Sequence, residues 1–144
     1  MTITRLTTIT DSQAEDILLL MKELDPEIEV SLAMVRRAVE SRGTYFFGAM
    51  DEKGRMVGCA SLCVMDSPTG RKGHIEDVVV LSSCRGQHLG QRLMEHVIGF
   101  SRQELGPVDL YLTSRPHRIA ANRLYRSLGF QPKVTNVYKM IIDK

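Results

Sequence analysis

One stretch constrains this chain more than any other: Gly73–Leu105, GHIEDVVVLSSCRGQHLGQRLMEHVIGFSRQEL. It begins with an apolar run, Ile75 to Leu81, that reads as a strand. A small polar turn follows, Ser82-Ser83-Cys84, and then Arg85-Gly86-Gln87-His88-Leu89-Gly90 leads into an amphipathic helix. Leu89, Leu93, Val97 and Phe100 form the helix's apolar stripe. A strand, a glycine-bearing turn and a helix N-terminus make a place where N–H groups converge on an anion. Gly86 can take positive φ or admit close backbone approach. Gly90, in the first helical turn, leaves no side chain between helix and ligand. The N–H groups of Gln87, His88, Leu89, Gly90 and Gln91 then point at the anion, and Arg85 brings a charge beside them. The same residues also suit a plain strand–helix connection with a solvated arginine. The patterns GxxxxGK[ST] and GxGxxG are both absent, which excludes a Walker loop and a Rossmann opening.

The rest of the chain supplies a mixed α/β frame. Ile3–Ile9 alternates apolar and polar and reads as an edge strand. Asp11–Asp25 reads as a helix, with Ser12-x-x-Glu15 as a capping box and Ile17, Leu20, Met21 and Leu24 as its stripe. Glu29–Ser41 is a second helix ending near Gly43. Thr44–Met50 and Arg55–Met65 form a hairpin about Asp51-Glu52-Lys53-Gly54. Asp66–Lys72 reads as a loop by its Pro and Gly. Gly106-Pro107 ends the helix of the opening stretch, and Val108–Thr113 is a short strand. A last helix opens at Ser114-Arg115-Pro116 and stops at Gly129. Phe130–Ile142 is expected to give a final strand or strands. The order β α α β β β α β α β, with hairpins and one or two βα crossovers, implies a mixed sheet in one domain spanning 1–144.

Composition narrows the function classes. The net charge of +2 gives no general case for a nucleic-acid partner. Basic residues do gather late, at Arg115, Arg118, Arg123, Arg126 and Lys133. The three cysteines, Cys59, Cys63 and Cys84, match no zinc spacing, so no metal is expected. An odd cysteine count without a secretory leader suits a reduced, cytoplasmic setting. No apolar run is long enough to span a bilayer, so no membrane partner is expected.

The run VVVLSSCRGQHLGQRLMEHV resembles the acetyl-CoA motif of the GCN5-related N-acetyltransferases (GNAT), Arg/Gln-x-x-Gly-x-Gly/Ala after a strand. Arg85 and Gly90 match its ends and Gly86 matches the frequent Arg-Gly opening. His88 departs, standing where that family usually has glycine. A second block, Ala121 to Phe130, resembles the family's A-x-x-L-Y-x-x-x-G-F segment. Arg118 stands where an asparagine is often found, and neighbouring Asn122 is the candidate to replace its contact. The resemblance implies a GNAT-type acyl-CoA N-acyltransferase fold, with a central twisted mixed sheet flanked by about four helices. It implies acetyl-CoA as co-substrate and an amine acceptor as partner. Similar proteins are often dimers through their last strands, and apolar Val134–Ile142 would support a homodimer.

Acetyl transfer needs a base for the amine, a polarised carbonyl and a proton for the leaving thiolate. Tyr125 is the candidate acid, since the resemblance puts this tyrosine near the CoA sulfur. Glu76 and Asp77 are the candidate bases, because two acids inside an Ile/Val run are unexpected in a plain buried strand. Successive strand residues face opposite sides, so both reach one cleft only if the strand bulges. The resemblance implies such a bulge or splay, and pantetheine pairing along Val78, Val79 and Val80. Paired structural carboxylates and a core-capping tyrosine are the plainer alternatives. Gly73 to Gly86 further resembles glucosamine-6-phosphate N-acetyltransferases, which carry a similar acid pair. A non-catalytic acyl-CoA-binding sensor on the same fold is the alternative from another class.

Overall fold

The computed structural model describes residues 1–143. The chain falls into two compact units, Met1–Thr113 and Ser114–Lys144. The first holds one five-stranded sheet in the order β1-β2-β3-β4-β5. Its strands are β1 (Thr2–Leu6), β2 (Thr44–Met50), β3 (Met56–Ser67), β4 (Gly70–Val80) and β5 (Asp109–Tyr111). The first four pair antiparallel, and β5 joins β4 in parallel, so the sheet is mixed as expected. The hairpin between β3 and β4 is tighter than the sequence implied. Asp66–Lys72 is mostly strand, and only Pro68 and Thr69 separate the two.

The first helix, α1 (Asp11–Leu24), is capped by Thr10 and not by Ser12. Thr10 Oγ1 accepts from the Gln13 N–H at 3.1 Å, and Gln13 Oε1 accepts from the Thr10 N–H at 2.9 Å. Both candidates carry an acceptor side chain three residues on, so sequence alone does not separate them. The second helix, α2 (Leu32–Glu40), starts later than its apolar pattern suggests, because Ser31 caps it through the Met34 N–H. After β4 comes α3 (Leu89–Phe100), which widens into a π-helical turn at Ser101–Leu105.

Strand alternation sends neighbouring residues to opposite faces of the sheet. Phe46 packs with Ile17, Leu20 and Met21 of α1 and with Val35 and Val39 of α2. Phe47, fully buried, meets His96 and Phe100 of α3 edge-on at 5.3 Å. Ala49 and Val57 lie with Leu89 and Leu93 of α3. Helices thus cover both faces of the sheet.

One polar contact sits inside this apolar frame. Asp16, on α1, is buried. Its carboxylate takes Arg55 Nη2 at 2.6 Å, Arg55 Nε at 3.0 Å and the Met56 N–H at 3.0 Å. It therefore pins α1 to the start of β3. Burial alone would raise the Asp16 carboxyl. The hydrogen bonds from Arg55 and Met56 and the arginine's charge outweigh that and hold it below the usual carboxylate range.

The second unit contains α4 (Ile119–Ser127). That helix starts at Ile119 with Arg118 as its cap, three residues past Pro116. Among the described residues no strand follows it. The expected strand over Phe130–Ile142 is absent, and its apolar side chains from Val134 to Ile142 stand exposed. An alternating apolar pattern marks strand potential, but a strand forms only where a partner supplies hydrogen bonds.

Asp16→Asn is expected to lower stability by about 2 kcal/mol at pH 7. The folded Asp16 value lies below its unfolded value of about 4, so its contribution is complete above that pH and is lost as pH falls through the folded value. Urea titrations should therefore separate wild type and variant at pH 7 and bring them together toward pH 3. An equal gap at both pH values would remove the role given to Asp16.

Candidate active site

The bulge implied for the acid-bearing strand is present. Glu76 opposes Ser61 and Val79 opposes Cys59, which leaves Asp77 and Val78 together against Ala60. The extra residue bends β4 and breaks its alternation. Glu76 and Asp77 are consequently both exposed, where a regular strand would bury one. Asp77 takes φ +53°, a left-handed conformation that non-glycine residues seldom adopt. Although the residue as a whole is exposed, partial loss of solvent around its carboxyl pushes that group above the ordinary aspartate value. Its carbonyl oxygen lies 3.9 Å from the Cys59 thiol. Burial, and secondarily the Asp77 charge, pushes that thiol far up. Cys63 is also raised, chiefly by burial. Neither thiol is suited to be a nucleophile.

The parallel pairing of β4 and β5 is short. It joins Lys72 to Asp109, Gly73 to Leu110 and His74 to Tyr111. Among the described residues nothing pairs with Ile75–Val80 on that side, so the edge of Val78, Val79 and Val80 is left open. A parallel edge presents alternating N–H and C=O groups to whatever lies beside it. His74 closes the paired end. Its ring is half-buried and stacks on Tyr111 at 5.3 Å and 19°.

Beyond β4 the backbone is held at its first two residues. The Leu81 N–H donates to Val57 O at 2.9 Å. The Ser82 N–H donates to Glu23 Oε1, from the last turn of α1, at 2.7 Å. Ser82–Cys84 make a single 3-10 turn. Arg85 Nη2 lies 3.8 Å from the same Glu23 oxygen. The Ser82 hydroxyl and N–H, with the Arg85 charge adding to them, hold the Glu23 carboxyl below its ordinary value. Arg85, Gly86 and Gln87 then turn the chain, with Gly86 at φ +84°, and His88 enters α3 at φ +57°. The first intrahelical bond runs from the Arg92 N–H to His88 O at 3.0 Å. Among the described residues the N–H groups of His88, Leu89, Gly90 and Gln91 have no protein acceptor. A Cβ on Gly90 would meet nothing within 4 Å. Four unpaired donors beneath open space fit a phosphate group.

In the second unit the turn into α4 is tied by Asn122. Its Nδ2 donates to Arg115 O at 2.9 Å and Arg118 O at 2.8 Å. One turn on, Tyr125 is fixed by the helix's end. Gly129 takes φ +104°, the Phe130 N–H returns to Tyr125 O and the Gly129 N–H to Arg126 O. This is a Schellman ending, and its apolar contact is the edge-on meeting of Tyr125 and Phe130 at 6.3 Å. Loss of solvent pushes the Tyr125 hydroxyl up, against the opposing pull of Arg118. The tyrosine therefore stays protonated at neutral pH. Ser114 Oγ is buried and has no hydrogen-bond partner among the described residues. Neither Ser114 nor Glu23 was marked by the sequence.

The family model of the acetyltransferase (GNAT) family matches residues 12–130. The chain belongs to the GNAT family. That family uses acetyl-CoA as co-substrate, which agrees with the unpaired donors of α3. A solved Trypanosoma brucei acetyltransferase is 26% identical, with 97% of this chain and 100% of that one covered and a TM-score of 0.73. Glucosamine-6-phosphate N-acetyltransferase from Arabidopsis thaliana is 19% identical, covering 99% and 100%, with a TM-score of 0.77. Ribosomal-protein-alanine N-acetyltransferase from Brucella melitensis is 15% identical, covering 98% and 100%, with a TM-score of 0.78. The latter two likenesses are of fold alone. No curated protein sequence matches the chain.

His88 occupies a left-handed position that costs an L-residue about 1 kcal/mol. Its backbone conformation is one that glycine adopts freely, which accounts physically for glycine being usual there in the GNAT motif. His88→Gly is therefore expected to stabilise the protein by up to about 1 kcal/mol, read as a higher denaturant midpoint. A lower midpoint would mean that the imidazole contributes more than its backbone strain costs.

Proposed function

We propose that this GNAT protein is an acetyl-CoA-dependent N-acetyltransferase, moving an acetyl group directly to a primary amine of a small molecule or protein. The observation that carries the proposal is the continuous run from the open edge of bulged β4 to four unpaired N–H donors at the start of α3. Bound acetyl-CoA supplies the activated thioester. In the proposal the turn Arg85–Gly90 and the N–H of Gln91 hold its phosphates. The open edge at Val78, Val79 and Val80 aligns the pantetheine arm and offers an N–H to the acetyl carbonyl. Asn122 keeps the turn before α4 in shape for cofactor contact.

Glu76 or Asp77, both exposed at the bulge, takes the proton of the acceptor ammonium. The raised Asp77 carboxyl is a stronger base than an ordinary aspartate. Tyr125, protonated at neutral pH, gives a proton to the departing thiolate. Glucosamine 6-phosphate is the specific acceptor worth testing first, on the sequence likeness around Glu76 and Asp77. The free thiols of Cys59, Cys63 and Cys84 support a cytoplasmic setting. We extend the proposal to a homodimer that covers the exposed apolar side chains of Val134–Ile142; a monomer in sedimentation would remove that part.

Acetyl-CoA should raise the melting temperature of the wild type. Thiol release over an amine panel that includes glucosamine 6-phosphate should identify an acceptor. With it in hand, Tyr125→Phe and one of Glu76→Gln or Asp77→Asn should each lower turnover about 100-fold. Binding of CoA without acetylation of any amine would favour a non-catalytic sensor. Absence of any thermal shift would count against both.

A further inference from the structure

The phosphate turn is held from outside itself by one carboxylate. Glu23, in the last turn of α1, reaches a residue fifty-nine positions away in sequence and accepts the Ser82 N–H at 2.7 Å. That N–H begins the 3-10 turn Ser82–Cys84, which no side chain of its own caps. The same oxygen lies 3.8 Å from Arg85 Nη2. After this point the backbone passes through Gly86 and His88 at positive φ before the unpaired donors of α3 begin. Neither of those conformations is enforced by a hydrogen bond from the His88 side chain. Besides its own bonds, from the Cys84 N–H to Leu81 O at 2.9 Å and the Arg85 N–H to Ser82 O at 3.3 Å, and the packing of Leu81 and Cys84 beside Leu89 and Leu93, the turn leaving β4 is held by the Leu81 N–H anchor and by Glu23. Glu23 itself is rigidly placed, because Ile17, Leu20 and Met21 of the same helix are buried in the core and Asp16 ties that helix to β3.

We propose that Glu23 is a positioning residue for the phosphate turn, acting through Ser82, chiefly its N–H with the hydroxyl beside it, rather than by touching the ligand. The role rests on the proposed acetyl-CoA site. It separates two functions within one carboxylate. Acceptance of the N–H sets the path of the backbone, and the charge restrains Arg85 until a phosphate takes it over. At 3.8 Å, with the Arg85 side chain 63% exposed, the ion pair is loose, and surface pairs of that kind contribute little. The N–H contact is the stronger constraint. An amide oxygen can replace it, whereas a methyl group cannot.

The test is the affinity of the full-length protein for CoA and for acetyl-pantetheine, which lacks the pyrophosphate. Glu23→Ala is expected to weaken CoA about tenfold, the loss of one hydrogen bond to a charged acceptor, and to leave acetyl-pantetheine unchanged. Glu23→Gln is expected to bind CoA within about threefold of wild type. Ser82→Pro deletes the same bond from its donor side, and removes with it the hydroxyl that also favours the Glu23 carboxylate. Leu81, at φ −55° and ψ 140°, already has a backbone that tolerates a following proline. It should weaken CoA as Glu23→Ala does, and the double variant should be no weaker than either single one. Unchanged CoA affinity in Glu23→Ala would overturn the proposal. So would equal losses for CoA and acetyl-pantetheine, a Glu23→Gln variant as weak as Glu23→Ala, or additive losses in the double variant. Failure of the wild type to bind CoA would overturn the acetyl-CoA site on which the role rests.

Discussion

A regular strand shows its neighbours to opposite faces, so Glu76 and Asp77 could not both be exposed on one. The extra residue in β4 removes that restriction. With Asp77 and Val78 set against Ala60 alone, the strand changes direction while its outer rows stay in register with β3. The backbone accepts a left-handed aspartate in return, a cost of about 1–2 kcal/mol that the surrounding sheet must offset. The same strand loses β5 as a partner beyond His74. The bulge with its two acids and the edge left open beyond His74 are thus two departures from regular pairing in one strand, just ahead of the turn into α3.

The frame around these departures is conservative. Helices cover both sheet faces, Phe46 and Phe47 divide between them, and a buried carboxylate ties α1 to β3. Such a frame lets α1 act as a fixed support for other segments. Glu23 uses that support to hold the backbone that leaves β4. The second unit is ordered in a comparable way at small scale, since the helix ending at Gly129 and the clasp at Asn122 fix the two ends of the helix that bears Tyr125.

Much of this was legible in the sequence because it is local. The strand–turn–helix of Gly73–Leu105 carries its own periodicities. Gly129 marks a helix ending because only glycine takes that backbone freely. The paired acids posed the question of a bulge, since regular alternation sends successive residues to opposite faces, and the family resemblance supplied the answer. What escaped depends on distant or missing partners. Glu23 gives no sign in sequence of its contact with Ser82, nor does His74 of its stack on Tyr111. Thr10 and Ser12 present nearly equal caps, and the choice falls to how the first turn meets Ile9 and the core. The tail after Phe130 has the apolar alternation of a strand, yet no pairing partner for it is found among the described residues.

The most direct test of the proposed site follows each backbone N–H separately. A two-dimensional proton–nitrogen spectrum of the labelled protein, titrated with CoA, reports them individually. The amides of His88, Leu89, Gly90 and Gln91 are expected to move most and to saturate together, with Val78, Val79 and Val80 following along the open edge. Binding of CoA that leaves those four amides unmoved, or that shifts a different part of the chain, would contradict the site.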